Sequence, residues 1–576
     1  MCGLSCVVSK VSSFDVQSII TSMNAEIFHR GPDSQCLYLG NKVGLGHTRL
    51  SIIDLSDAAN QPFIQGKYVL IFNGEIYNYI ELREELKQKG YNFTTTSDTE
   101  VIIAAFDFWG KDCQHKFNGM WAFILFNKES NTIFYSRDRF GIKPLYVYED
   151  DKVISFASEI KQFLALPSFV KSIDFNTVEF FFAGKLNQSK NTFFSNVKVV
   201  PGGHCGELSV KQPEVNVSQW YSLTNAIKVQ NNLSEREIVS ETKRLFLDSL
   251  KLRVRSDVPV GSCLSGGLDS SAIVCGSKKS DLVDQDFTTI TSSYNLEGYS
   301  ETEFSDFVAK QSGVSNNKVY PDLKSLVSSG LLEKINFHQD QPIPSASHVN
   351  EYEVFKKANQ LGLKVMLDGQ GADEYFLGYP EFERQHFIDL CKSGKVISAI
   401  SFLNNYVKYK SNYSFFKELK FTFSDIINRR APWKSVMDLS LDEMLMSSLP
   451  YQLHSEDRNS MLHSVESRLP FLDYRLVEFV MGVRSSLKLK KGKRKYLIRE
   501  AFDFLPSKIR NRMDKIGFVA PDFIVVEENA SMIEKVKDIL QESGFLSHRI
   551  LNSSNTTNHQ FRILSYYTWL KAFKFL

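Results

Sequence analysis

The sequence predicts two domains of different fold class: an α+β domain of stacked antiparallel sheets with flanking helices, then an α/β domain built on a parallel sheet with a helical tail. Three observations carry this. Up to about residue 206, short apolar or alternating runs follow one another and end in Gly, Asn or Asp, as half-buried strands do. From about 235 the pattern becomes strand, Gly-rich loop, helix, which is how a parallel sheet covered on both faces is written. Between them, 207–234 is polar (VKQPEVNVSQ, KVQNNLSE) and reads as a linker. The predicted division is 2–206, linker 207–234, and 235–576.

In the first domain KVGLGHTRLSII, YVLIFNGEIY, WAFILFN and TIFYSRD are the expected strands. YIELREELKQKG has apolar residues at helical spacing and a Gly stop, so it is a helix. In the second, SEREIVSETKRLFLDSLKLRV reads as a long amphipathic helix. VPVGSCL is then a strand, SGGLDSS a loop and AIVCGSK the start of a helix; LKVMLD is a buried strand and GQGADE the loop after it. Past 380 the chain is mainly helical, with Phe and Tyr supplying core bulk.

Composition excludes several classes. Hydrophobic residues are 43% and charged residues 23%, an ordinary globular balance. A net charge of +2 argues for neither nucleic acid nor an acidic membrane surface as partner. No apolar run is long enough to span a bilayer, and MCGLSCVVSK lacks the basic segment and apolar core of a signal peptide. Eight cysteines without a CxxC pair make neither a zinc site nor a dense disulfide framework, so a cytoplasmic location is expected. Cys263 and Cys275 lie in apolar runs and read as small core residues.

Two places carry chemistry. Removal of Met1 before a small residue would put a thiol and a free α-amine on Cys2. Such an amine titrates near about 7.7–8.0 and can serve as base for its own thiol. By position alone, Cys2 reads as a small residue at a frayed end. Further on, SGGLDSS is not a GxxxxGK[ST] phosphate loop, because Gly267 stands where the lysine belongs. Ser265, Gly266, Gly267 and Ser270 nonetheless place hydroxyls and bare N–H groups at a helix N-terminus, which favours an anion such as pyrophosphate. Asp269 in that setting requires a cation, and Mg2+ is implied; the alternative is a Gly-rich turn capped by Asp269.

The segments MCG, HRGPD (29–33), GHTRLSIIDL (46–55), FNGEIYN (72–78), SDTE (97–100), RDRFGIKPLY (137–146), FASEIK (156–161) and VPGGH (200–204) occur in the order found in class II glutamine amidotransferases. Over most of 2–206 the chain resembles that family, whose fold is of the N-terminal-nucleophile hydrolase kind. The resemblance makes Cys2 the nucleophile, puts Arg49 on the glutamine α-carboxylate and Asp98 on its α-ammonium, and gives Asn73 and Gly74 the oxyanion hole. Glu75 joins the glutamine-binding set. Taken singly, Arg49 would be a surface charge and Asn73-Gly74 a hairpin turn. Arg137, Asp138, Arg139 and Lys143 are assigned to the interface or the fold.

SGGLDSS, KVMLDGQGADE (364–374), RNSMLHSVESRLPFLD (458–473), GKRKYLIREAF (492–502) and RMDKIGF (512–518) extend the match. Nearly the whole chain resembles glutamine-hydrolysing asparagine synthetases, whose second domain is of the ATP-pyrophosphatase type. ATP and Mg2+ are the implied cofactors, with cleavage between the α- and β-phosphates. Asp269 and Asp373 would be the metal ligands. Backbone groups of Leu264, Asp368 and Gly369 would hold adenine and ribose, with Thr289 on the strand beside the base. Lys495 aligns with a family lysine that stabilises charge as ammonia attacks; alone it is one cation in KLKKGKRK. Gln370 stands where some members carry a glutamate, and Asp368 where some carry serine. Gln370 cannot be a general acid or base but can orient a substrate. The DGQGADE form also occurs in members from surface-polysaccharide gene sets. The acceptor is therefore read as aspartate, with another carboxylate such as a sugar uronic acid as the alternative, and a homodimer is left open. A catalytically dead regulatory protein is the third reading, disfavoured by retention of Cys2, Arg49, Asn73, Asp98, Asp269 and Asp373 together.

Overall fold

A computed structural model describes residues 2–11, 14–185, 191–284, 286–409, 435–513 and 519–576. The first half contains β1 (Gly3–Ser9), β2 (Ser34–Gly40), β3 (Val43–Arg49), β4 (Phe63–Gln65), β5 (Tyr68–Ile76), β6 (Gly119–Asn127), β7 (Thr132–Arg137), β8 (Tyr146–Glu149), β9 (Val153–Ala157), β10 (Val197–Val199), β11 (His204–Ser209) and β12 (Ser218–Gln219). They form two antiparallel six-stranded sheets, ordered β10-β8-β9-β1-β3-β2 and β12-β11-β7-β6-β5-β4. Side-chain alternation along β5 shows why they stack. Val69 and Ile71 join Leu4, Cys6, Leu45 and Ile124 in the layer between the sheets. Leu70 and Phe72 point the other way, into the layer under α2 (Tyr79–Lys87) and α3 (Asp98–Trp109). Helix α1 (Val16–Glu26) covers the outer face of the first sheet. The expected stack of sheets with flanking helices is the observed one.

The polar stretch from 207 does not leave this body at once. β11 runs on to Ser209, and β12 pairs with it before the chain departs. An edge strand needs little apolar content, so this pairing left no hydrophobic signal in the sequence.

The second half holds β13 (Val260–Cys263), β14 (Thr288–Ser292), β15 (Ser315–Val319), β16 (Val365–Leu367) and β17 (Glu466–Arg468), all parallel, in the order β15-β14-β13-β16-β17. Helix α4 (Glu235–Arg253) begins with a capping box between Ser234 and Glu237. Helix α5 (Leu268–Lys279) starts directly after Gly267, earlier than AIVCGSK suggests. Asp269 and Ser270 therefore sit in its first turn, where the helix dipole favours an acid. The stretch read as the GQGADE loop includes one helical turn, Ala372–Tyr375. The other helices used below are α6 (Leu331–Gln339), α7 (Ser347–Gln360), α8 (Ser448–Met461) and α9 (Thr557–Ala572). α9 returns to the first domain: Trp569 packs on Phe193 and Phe194, and Lys171 Nζ donates to the Phe573 carbonyl at 2.6 Å. Among the described residues no helix is long and apolar enough to cross a membrane.

The loop after β7 is organised by Asp138, whose carboxylate accepts the backbone N–H groups of Trp121, Phe140, Ile142 and Lys143. Arg137 donates to the carbonyls of Gly141, Lys143 and Val200, and the Arg139 guanidinium lies 3.9 Å from the Tyr474 ring of the second domain.

A buried ionic cluster joins the domains. Arg30 forks onto Asp457 through Nη1 and Nη2 at 2.9 and 3.0 Å. Its Nη1 also reaches Glu159 Oε1 at 2.8 Å, and its Nε donates to the Cys2 carbonyl at 3.0 Å. Beside it, Asp340 accepts from Arg458 and from the Ile160 and Lys161 backbone. All these side chains are buried. Arg30→Met would leave Asp457 and Glu159 short of a partner they need. The expected cost is about 3–5 kcal/mol, read as a lowered thermal melting midpoint; an unchanged midpoint would remove this cluster from the stability of the fold.

Candidate active site

The first site lies where β1 starts between β3 and β9, with β5 on the facing sheet. The Cys2 backbone nitrogen donates to Asn73 Oδ1 at 3.1 Å. The thiol is buried, and burial pushes it above the usual thiol range; the Leu50 N–H and the Arg49 charge act in the opposite direction. The amide nitrogen of Asn73 is sealed from solvent and has no partner among the described residues. That leaves one preorganised donor beside the thiol. Gly74 follows on a strand that runs tight against β6: a Cβ there would lie 2.0 Å from the Met120 carbonyl oxygen.

The other residues expected to hold glutamine surround these. Arg49 is nearly buried and donates to the Ser56 carbonyl and Asn60 Oδ1, both at 2.8 Å, and to the Asp54 carbonyl. Its guanidinium thus shapes the 53–60 loop, and a ligand carboxylate would share it with those groups. Asp98 opens α3 and accepts the Ile76 N–H at 2.9 Å. Burial raises its carboxyl to about 6. Glu75 lies at the domain contact, 3.4 Å from Arg468. Burial, with Glu466 and Asp98 close by, pushes its carboxyl well above the usual range.

The second site is a cavity of about 420 Å³ at the C-terminal ends of β13, β14 and β16, where open parallel sheets take their ligands. Leu264, Ser265, Asp269, Ser270, Asp368, Gly369, Gln370 and Asp373 all line it. Gly266 and Gly267 form the turn beneath. Gly266 is left-handed at φ +76°, and a Cβ there would lie 2.6 Å from the Ser305 nitrogen. The Ser265 hydroxyl bonds the Gly267 N–H and the Ser270 hydroxyl. Gln370 makes no hydrogen bond of its own among the described residues, so its amide is available to the cavity. Asp269 from the first turn of α5 and Asp373 from the helical turn Ala372–Tyr375 converge, and Lys495 Nζ stands between them at 2.6 Å from each. A pair of carboxylates already holding a cation between them is a donor set that suits a hard divalent ion.

Two expectations change. Thr289 is on β14, but its hydroxyl donates to the Ser315 carbonyl and Asn316 Oδ1 on the far side; Ile290 and Ser292, of opposite parity on the strand, line the cavity instead. Cys275 is a core residue, but Cys263 faces the cavity and its thiol bonds Asp368. Met1 and residues 514–518 of RMDKIGF lie outside the described residues. Three residues had no role in the sequence reading. Arg30, in HRGPD, ties Cys2 to the second domain. Gly378 approaches so closely that a Cβ would lie 1.7 Å from Asp373 Oδ1. Glu351 stands in the cavity wall. Only Arg30 sits inside a quoted motif.

The glutamine amidotransferase domain model matches residues 1–221, and the asparagine synthase model residues 241–562. Asparagine synthetase (glutamine-hydrolyzing) 1 of Bacillus subtilis is 31% identical over 94% of this chain and 90% of its own. The chain belongs to the glutamine-hydrolysing asparagine synthetase family. It is a ligase that uses glutamine and ATP to amidate a carboxylate. Asparagine synthetase (glutamine-hydrolyzing) 2 of the same organism is 29% identical over 85% of this synthetase and 68% of its own length. A relative named amidase chry2, from Gibberella zeae, is 27% identical over 90% and 89%.

Gly74→Ala in this synthetase would drive a methyl into the Met120 carbonyl. The expected result is a loss of about 1–3 kcal/mol in stability and a steep fall in glutamine hydrolysis. Thermal melting and glutamate release measure the two; normal glutaminase activity would show that the close approach is unimportant to the site.

Proposed function

We propose that the synthetase amidates the side-chain carboxylate of aspartate through an acyl-adenylate, with ATP converted to AMP and pyrophosphate and ammonia supplied internally from glutamine at Cys2. The observation that carries this reading is the convergence of SGGLDSS and DGQGADE on one cavity, in a chain that also buries a thiol beside an unpaired amide donor. The amidotransferase unit is taken as 2–206, the connection as 207–234 and the synthetase unit as 235–576.

Since burial does not favour the thiolate, Cys2 needs a base. With Met1 removed, its own nitrogen becomes an amine, already positioned by Asn73. The sulfur attacks the glutamine side-chain carbon, and the oxygen takes up negative charge facing Asn73 Nδ2 and the Gly74 N–H. The C–N bond breaks, ammonia leaves and water hydrolyses the thioester to glutamate. In the second cavity an acceptor oxygen attacks the α-phosphorus and pyrophosphate departs. Asp269 and Asp373 would hold Mg2+, which when bound supplies neutralising charge for the phosphates. Lys495 places a further positive charge there. Ammonia then attacks the acyl carbon and AMP leaves, so one difficult substitution becomes two easier ones. Gln370 supports a second reading, because an uncharged amide at that position also suits a sugar uronic acid as acceptor.

Cys2→Ala should lower glutamine-driven synthesis by roughly three orders of magnitude or more. Synthesis from ammonium, followed as AMP and pyrophosphate, should persist. Equal loss of both, or ADP and phosphate as products, would reject the scheme. Asp98 gives a pH signature. Its raised carboxyl is protonated below about 6 and then cannot pair with an α-ammonium. The KM for glutamine should climb toward about tenfold per unit as pH falls below that point. Asp98→Asn should have a high KM without that slope; a pH-independent wild-type KM would remove Asp98 from glutamine binding.

A further inference from the structure

Glu351 sits on α7 one turn before Val354 and Phe355, and all three line the nucleotide cavity. Two neighbours from α8 fix its carboxylate: Ser455 Oγ at 2.7 Å and Asn459 Nδ2 at 2.8 Å. Both donate to Oε2. Oε1 takes neither bond and is left to the cavity.

Among the described residues no Lys or Arg lies within ion-pair distance of Glu351, and Lys495, at the Asp269–Asp373 side of the cavity, is bonded to those two carboxylates instead. The adjacent His348 is not a substitute. Its ring nitrogens contact the Ser345 carbonyl and the Tyr451 hydroxyl, and burial lowers it to about 4, so it is neutral. The other carboxylates of the cavity are accounted for. Asp269 and Asp373 share Lys495, and Asp368 is bonded by the Gly369 N–H and the Cys263 thiol. A carboxylate held in place by two donors, half-buried in a cavity wall and without a positive partner among the described residues, is poorly compensated unless a ligand supplies one.

We propose that Glu351 is the counter-charge for an ammonium group on the acceptor, which makes the acceptor an amino acid. This rests on the adenylation reading above. ATP brings only negative charge and hydroxyls, so the cationic group must belong to the other substrate. A uronic acid offers hydroxyls and one carboxylate and would leave Glu351 unbalanced. Burial raises Glu351 to about 7, so on its own it is partly protonated near neutral pH, and an ammonium ligand would draw it back to the charged form. Glu351 also supplies the charge that the neutral Gln370 does not. Its role is specificity, through direct contact with the acceptor.

The test uses the full chain with ammonium chloride as nitrogen source and pyrophosphate release as readout. The acceptors are aspartate, succinate (the same skeleton without the amine) and glucuronate. Wild type should favour aspartate over succinate by about tenfold or more in kcat/KM. Glu351→Gln should lower the aspartate value about ten- to a hundredfold, mainly through the aspartate KM. It should leave succinate, the ATP KM and glutamine hydrolysis within about twofold. Glu351→Asp should restore part of the preference. Wild type using succinate or glucuronate as well as aspartate would overturn the proposal and leave adenylation standing. So would a Glu351→Gln enzyme whose ATP KM rises while its acceptor preference is unchanged, since that marks a ribose contact. No pyrophosphate with any of the three would overturn the adenylation reading and this proposal together. If Glu351→Gln loses glutaminase as well, the wild-type comparison of aspartate with succinate decides alone.

Discussion

The arrangement of both sites depends on one buried guanidinium. Arg30 holds the carbonyl of Cys2, the carboxylate of Glu159 in its own domain and that of Asp457 in the other. A planar fork with fixed donor directions does this better than an ammonium could. The same residue therefore sets where the nucleophile begins and how the two domains meet. Buried charge clusters of this kind are poor sources of net stability, but breaking one leaves an uncompensated charge. The relative position of the domains is in that sense defined by what cannot be left unpaired.

Polar groups continue from that junction to the nucleotide cavity. The three-residue strand β17 carries Glu466 and Arg468, bonded to each other, and Arg468 also approaches Glu75. Between them Ser467 donates to Glu456, the residue next to Ser455 on α8. Ser455 in turn holds Glu351. A strand that pairs with β16 on one side thus turns one polar face toward Glu75 and the other toward Glu456 on α8. Its shortness matters, because longer pairing would have needed apolar residues at these positions.

Much of this was legible in the sequence, and the reasons differ by residue. β5 announced itself because alternation fills two different layers from one strand. α4 did so through its long amphipathic pattern. Asn73, Gly74, Asp269 and Asp373 could be named because each sits in a contiguous motif that must keep its local backbone, and the structure puts Asn73 on the Cys2 nitrogen and both aspartates in one cavity. Glu351 was not, because its meaning comes from residues about a hundred positions away on α8, and a lone glutamate in an amphipathic helix looks like solvent-facing charge. Thr289 was misplaced for a related reason: a one-residue change of register reverses which face of a strand a side chain occupies. Arg30 could be seen as part of HRGPD, but its partner Asp457 lies 427 residues on.

The return of α9 to the first domain has a consequence for biosynthesis. The aromatic face around Phe193 and Phe194 is completed by Trp569 and Phe573, and Lys171 bonds a carbonyl 402 residues further along the chain. At roughly 5–20 residues per second, a ribosome needs on the order of 20–80 s to make that stretch. Through that interval the amidotransferase sheets can form while one apolar flank stays uncovered. The nascent first domain therefore exposes aromatic surface until the ribosome has passed residue 573.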